Sequence, residues 1–356
     1  MKTSWRRWMW LGFGAIVIGL IFYNLSKSPE WRNFSWPRLW ASLVGARPGL
    51  LLVALAIVYF TFFVRAYRWR CFLDPIKHAS LGVLFAGQIL GFSSIYLIGR
   101  PGEFVRPAYI AKKENIPISA MAAVWLLERV FDSIAMVMLL AAGLYSGAVG
   151  PSTARRDAVL TTMHRGGNML FALMGLLVVA LILFRLHVEK VTAGMLRALH
   201  FLPAPALRTF ERFLRAFADG LGVIRNWTGL LASVGATAVL WVLNATILWL
   251  VFQSLGGGLA RLPWVAAGLT LFCAALGLVV QFPGIGGGYQ VGAILALTEI
   301  FDVAAEPATG AGILIWIMIS VPCLALGLVL LVHEGLSFRK LEALAEEERA
   351  ASLEKV

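Results

Sequence analysis

Two groups of ionisable residues stand within apolar sequence. Glu128, Arg129 and Asp132 lie in the interior of an otherwise apolar stretch from Ile118 to Tyr145. On a helix Glu128 and Asp132, four apart, share a face, and Arg129 is three from Asp132. With a helix start near Ile118, a rise of 1.5 Å per residue puts Glu128 about 15 Å and Asp132 about 20 Å along the axis. That is close to the middle of a bilayer core about 30 Å thick. Charges at such depth are expensive and by default functional, facing a protein interior or a wet cavity. The second group, Arg100, Glu103 and Arg106, follows a Gly99-Arg100-Pro101-Gly102 break at spacings of three. Arginine's planar fork donates in pairs to phosphate. The chemistry read here is a polar cavity in which arginines grip a phosphate while carboxylates hold the arginines or take up protons. A structural alternative is an internal salt-bridge cluster holding the first hairpin, for instance Glu128 to Arg100 or Arg106. Ordinary cytoplasmic-side positive charge would also account for Arg100 and Arg106. A third stretch, Pro283-Gly284-Ile285-Gly286-Gly287-Gly288-Tyr289-Gln290, is too glycine-dense for a plain span. It reads as a gate or backbone polar site, or as a tight turn for close helix packing, with Tyr289 and Gln290 offering neutral hydrogen bonding.

The elements that position these residues follow from the composition. Of 356 residues 60% are hydrophobic and 14% charged, against about 25% charged in soluble domains. Several apolar runs exceed the length of a membrane span. The fold class is all-α and polytopic, with about six full spans and two opposed re-entrant helical hairpins in an inverted repeat. Spans are expected at Trp8–Phe22, Pro48–Val64, Ile118–Tyr145, Met169–Phe184, Leu230–Phe252 and Thr309–Val332. Arg65, Arg68, Arg70 and Lys77 are read as charges beyond the second span. Arg106 before Pro107 is expected to lie outside a helix. The apolar runs Leu81–Ile98 and Trp264–Val280 each lead into a Pro-Gly break and are read as hairpin limbs, because irregular backbone in lipid must be buried in protein or line a cavity. Residues 205–227 alternate apolar and basic positions at helical spacing, an amphipathic helix in the interface. Trp31, Trp36 and Trp40 in a polar linker fit an interfacial belt.

The order span, apolar run, Pro-Gly break and helix occurs twice, as an inverted repeat would place it. The division expected is residues 1–47 as first span and linker, 48–336 as the membrane domain and 337–356 as a polar cytoplasmic tail. The halves, about 48–147 and 229–336, are joined by a span and the amphipathic helix at 168–228. Basic residues concentrate in 1–7, 65–80, 99–117, 185–228 and the tail, which places both termini in the cytoplasm. The net charge of +12 is accounted for by orientation signals and anionic lipid, which argues against nucleic acid. Three scattered cysteines and five dispersed histidines form no metal or redox pattern, no Walker-type glycine loop appears, and no cofactor is implied.

Gly-Arg-Pro-Gly-Glu-Phe-Val-Arg at 99–106, Glu-Arg-Val-Phe-Asp at 128–132 and Pro-Gly-Ile-Gly-Gly-Gly at 283–288 resemble the motifs of the lysylphosphatidylglycerol synthase transmembrane region family, flippase-like membrane proteins. The likeness covers roughly residues 50–333. It implies a lipid-translocating domain with two re-entrant hairpins, in which Arg100, Glu103, Arg106, Glu128, Arg129 and Asp132 match family positions. Many members carry an acidic residue after the second glycine element, where this chain has Gln290. The chain ends about twenty residues after its last span, so the expectation is transport without synthase activity. The expected role is a flippase or transporter for a phosphate-bearing, anionic or aminoacylated lipid in a bacterial inner membrane. The partner would be a phospholipid or a polyprenyl-phosphate-type lipid, with oligomerisation open. The alternatives are a membrane enzyme on lipid-linked substrates and a non-transporting partner of an envelope glycosyltransferase.

Overall fold

Apolar runs of membrane length, broken only at Gly, Pro and short polar linkers, fold as helices that satisfy their own backbone. The structure, a computed structural model, describes residues 33–146, 154–201, 203–224, 227–278, 281–282 and 286–333. In order come α1 (Trp36–Val44), α2 (Pro48–Leu73), α3 (Leu81–Ile98), a 3-10 turn (Arg100–Phe104), α4 (Val105–Glu114) and α5 (Ile118–Tyr145). Then follow α6 (Ala154–Leu186), α7 (Val188–Ala198), α8 (Ala204–Gly220), α9 (Trp227–Leu255) and α10 (Trp264–Gly277). The chain continues through α11 (Gly288–Leu295), a π turn (Ala296–Ile300) and α12 (Ala305–His333). The fold is all-helical as expected. Among the described residues, extended pairing is confined to β1 (Gln281–Phe282) against β2 (Gly286–Gly287), antiparallel, at the second glycine element.

Five described helices, α2, α3, α6, α9 and α12, are long and apolar enough to cross a membrane. The 28-residue α5 matches them in length but carries Glu128, Arg129 and Asp132. The expected first span, Trp8–Phe22, and the tail from Ser337 lie outside the described residues.

Three boundaries differ from the sequence reading. The second span does not stop at Val64: α2 runs on to Leu73, because Ala66, Trp69, Phe72 and Leu73 continue its buried face. Part of the Trp-rich linker forms α1, started by Pro37 in its first turn and seated through Leu39 near Gly310 of α12. The linker before the fourth expected span is helical from Ala154. Pro107 does not exclude Arg106 from α4. It occupies the first turn, where a missing N–H has no intrahelical partner to lose.

Helix α4 folds back antiparallel on α3. A Cβ on Gly87 would lie 2.7 Å from Ile110, and one on Gly91 would lie 2.6 Å from Arg106 Cβ. The mouth of this hairpin is fastened by Glu114, whose Oε1 accepts the Ser80 N–H at 3.0 Å and whose backbone carbonyl accepts Lys77 Nζ at 2.6 Å. Helix α11 returns along α10 in the same manner. A Cβ on Gly277 would collide with the Gly288 carbonyl, and one on Gly292 with the Cys273 carbonyl.

The two hairpins open toward opposite ends of the bundle. Residues 74–80 and 114–117 share one end with the segment after α8, where Gly222 abuts Pro75. The start of α2 meets the end of α9 at the other, through Arg47 N–H to Ser254 O at 2.9 Å. There Glu306 at the start of α12 accepts the Ser35 N–H. Long α2 packs on α9, α3 packs on α12, and α10 packs on α5. Helix α8 lays Leu214 and Ala218 inward against α5, with Phe217 edge-on to Phe184 of α6. Trp36 and Trp40 are exposed.

Candidate functional site

Helix α5 needs guanidinium partners for Glu128 and Asp132, and it receives them from three places. The first is its own neighbour: Arg129 Nη2 lies 3.3 Å from Glu128 Oε2 and 3.5 Å from Asp132 Oδ2. The second is α4, whose Arg106 donates Nη2 to Glu128 Oε2 at 2.5 Å and Nη1 to Glu128 Oε1 at 3.2 Å. Arg106 Nη1 also donates to Gln88 Oε1 at 2.8 Å, and its guanidinium stacks over Trp69 at 4.5 Å. The third is α2. Arg68 donates Nη2 to Glu128 Oε1 and Nη1 to Asp132 Oδ1, each at 2.6 Å. The indole N–H of Trp241 on α9 completes Asp132 Oδ1 at 3.0 Å.

This is a largely buried ionic cluster that reaches the surface at Arg129. The side chains of Arg68 and Glu128 are 0% exposed, Asp132 12% and Arg129 42%. Short, charge-assisted and partly bidentate bonds are the strong kind, and each oxygen of Glu128 meets a donor, as burial demands. The cluster ties α2, α4, α5 and α9 together at one level. Gly91 permits it, because any side chain there would push Arg106 away.

The sequence-derived residues divide. Arg106, Glu128, Arg129 and Asp132 meet in one network. Glu103 sits in the 3-10 turn within electrostatic reach of Arg129, and Arg100 opens that turn by its backbone. In the second hairpin Gly286 and Gly287 form β2, and Gly288, Tyr289 and Gln290 start α11. Pro283 and Gly284 lie outside the described residues. Gln290 Oε1 accepts the Gly287 N–H at 2.6 Å, a role open to an amide or a carboxylate. Tyr289 Oη is buried without a hydrogen-bond partner.

Arg68 was missed by sequence reasoning, which assigned it to charges beyond a span. The signal was present in two forms. Apolar Ala66, Trp69, Phe72 and Leu73 carry the helical pattern past Val64, and two midplane carboxylates call for more positive charge than Arg129 supplies.

A stretch of 74 residues, 20% of the chain, is similar to lipoprotein signal peptidases: 28% identical for Vibrio campbellii, 27% for Vibrio parahaemolyticus and 26% for Vibrio vulnificus. The match spans 44% of the length of those relatives. A family match runs through residues 9–327, reaching further toward the N-terminus than the motifs alone. The chain therefore belongs to the family described as the lysylphosphatidylglycerol synthase TM region.

Proposed function

We propose that this protein moves a phosphate-bearing lipid across a bacterial inner membrane through polar space between two re-entrant hairpins. The observation that carries the reading is the charged network at mid-length of membrane-long α5, reached by residues of the first hairpin and by α2 and α9. The short return limbs support it. Ten-residue α4 and eight-residue α11 are about 15 and 12 Å long, far below a 30 Å core. Each limb must return to the side it entered. The opposite openings of the hairpins and the reciprocal packing of α3 on α12 and α10 on α5 fit an inverted repeat.

In this reading Arg100, Glu103, Arg106, Glu128, Arg129 and Asp132 border the path. Pro283, Gly284, Gly286, Gly287, Gly288, Tyr289 and Gln290 are assigned the gate. A phosphoryl headgroup crosses between protein walls while its chains remain in lipid. Both termini lie in the cytoplasm, where the basic segments concentrate. Substrates compatible with this chemistry are phospholipids, including aminoacylated ones, and polyprenyl phosphates.

The test is headgroup accessibility in proteoliposomes carrying labelled anionic and zwitterionic phospholipids, for wild type and Arg129→Ala. Arg129 is the most exposed member of the network, so its loss costs little stability. Wild type should accelerate exchange across the bilayer, and Arg129→Ala should abolish it at unchanged protein abundance. Loss of abundance instead would make the network purely structural.

The signal-peptidase similarity favours a second reading, a membrane enzyme on lipid-linked substrates. The pairing weighs against it: Glu128 and Asp132 are both engaged by arginines, which leaves neither free to act as acid or base. Turnover of a lipid-linked peptide by the purified protein would decide for the enzyme.

A further inference from the structure

Arg65 stands one helical turn from Arg68 on α2, about 4.5 Å further into the bundle. It differs from the other three arginines of the interior. Its guanidinium packs over the Phe92 ring at 4.8 Å, and it makes no ion pair or hydrogen bond with any described residue. It lines a cavity of about 50 Å³ between α2, α3, α9 and α12, whose wall includes Thr61, Tyr96 and Asn244 among Phe62, Phe92 and Ile247. Neither Tyr96 nor Asn244 has a side-chain hydrogen bond to a described residue. Tyr96, three residues before Gly99, is within electrostatic reach of Arg65 and of Tyr289, whose buried hydroxyl is also unpartnered. One phenol, one amide and one guanidinium therefore share the cavity wall with their side-chain donors unused among the described residues.

An unpaired cation in such a place is costly unless an anion or water meets it. A volume of this size holds roughly three or four waters, or one phosphoryl group. Arg65, Tyr96 and Asn244 can all donate hydrogen bonds, and arginine's fork suits phosphoryl oxygens. We propose that this cavity is a phosphoryl-binding site in which Arg65 is the primary ligand, assisted by Asn244 and Tyr96. Its apolar walls suit a phosphoryl group esterified to lipid. The proposal deepens, and for the lipid rests on, the transport reading above. It shifts the gripping role from the paired arginines, whose donors are already engaged, to the unpaired one.

The experiment uses the full chain in maltoside micelles. Dioctanoyl phosphatidylglycerol is titrated in and thermal stabilisation followed, with dioctanoylglycerol and inorganic phosphate as parallel arms. Wild type should be stabilised saturably by the phospholipid and not by dioctanoylglycerol. Arg65→Gln should raise the half-saturation concentration about tenfold to a hundredfold, as loss of a charge-assisted bond does. Arg65→Lys should recover part of it. Equal half-saturation for wild type and Arg65→Gln, or equal stabilisation by dioctanoylglycerol, overturns the site. If Arg65→Gln does not fold, Asn244→Leu and Tyr96→Phe keep the charge and serve instead: a several-fold loss in either supports the site, and no change in both overturns it. Stabilisation by inorganic phosphate alone supports the anion site and overturns its lipid source. The two readings separate in proteoliposomes. Phospholipid bound through Arg65 without lipid movement keeps the site and refutes transport. Lipid moved equally fast by Arg65→Gln keeps transport and refutes the site.

Discussion

Replacing Arg68 by methionine tests whether the network is a structural foundation. Methionine keeps much of the side chain's length and apolar volume, and removes the guanidinium together with its contact over the Phe72 ring at 5.9 Å. Arg68 holds both carboxylates at 2.6 Å and is wholly buried. After its loss Glu128 keeps Arg106 at 2.5 Å, whereas Asp132 keeps only Arg129 at 3.5 Å and the Trp241 N–H. Asp132 is thus the group left short of positive charge. Breaking a buried pair by removing one partner costs about 3–5 kcal/mol, and the two bonds of one guanidinium do not add. The expected loss is therefore about 3–5 kcal/mol rather than twice that. Neutralising the stranded carboxylate in Arg68→Met/Asp132→Asn keeps an oxygen for Trp241 and should restore at least about 1 kcal/mol, since neighbours in one network couple by roughly 0.5–3 kcal/mol. The assay is unfolding in maltoside micelles titrated with dodecyl sulfate, followed by tryptophan fluorescence. A loss below about 1 kcal/mol in the single variant, or no recovery in the double, refutes the reasoning.

Three further substitutions are read in the same titration. Trp241→Phe removes the neutral donor to Asp132 and should cost about 1.5–3 kcal/mol, the usual worth of a hydrogen bond to a charged group. Gly91→Val places a branched side chain against Arg106 Cβ and should lose about 1–3 kcal/mol by overpacking, together with lipid movement, because Arg106 is displaced from Glu128. Glu114→Gln weakens the half-exposed pair with Lys77 at the hairpin mouth and should change stability by less than about 1 kcal/mol.

Long apolar helices and both glycine breaks were legible because each rests on a local pattern: uninterrupted hydrophobicity, or Pro and Gly at defined places. The depth of Glu128 and Asp132 could be read from a rise per residue. Arg106 as a partner of Glu128 stood among the alternatives. The extension of α2 was not legible from charge alone, because three arginines after an apolar run look the same whether they meet lipid headgroups or buried carboxylates. Only tertiary contact separates Arg68, wholly buried, from Arg70, which is exposed. Helix α1 was hidden for a related reason. Its Trp-rich segment is short, and docking of Leu39 near Gly310 of α12 supplies what local propensity does not.

Charge balance tells the foundation from the working surface. Among the described side chains Arg68, Arg106 and Arg129 face Glu128 and Asp132, with Glu103 within electrostatic reach of Arg129. Three cations and three carboxylates leave that neighbourhood close to neutral. Arg65 is the fourth cation. Asp132 and Glu128 attract it, while Arg68 and Arg106 repel it. At an effective dielectric constant of about 20, unit charges 4 Å apart interact by about 4 kcal/mol, so an anion drawn to Arg65 gains an attraction that the neutralised neighbours cannot offer. If transport is as proposed, the headgroup must also leave again, and a site with one unpaired guanidinium and neutral donors releases its ligand more readily than three convergent arginines would. On the proposed reading the buried pairs hold the frame, and the unpaired arginine beside them offers a phosphate its binding group.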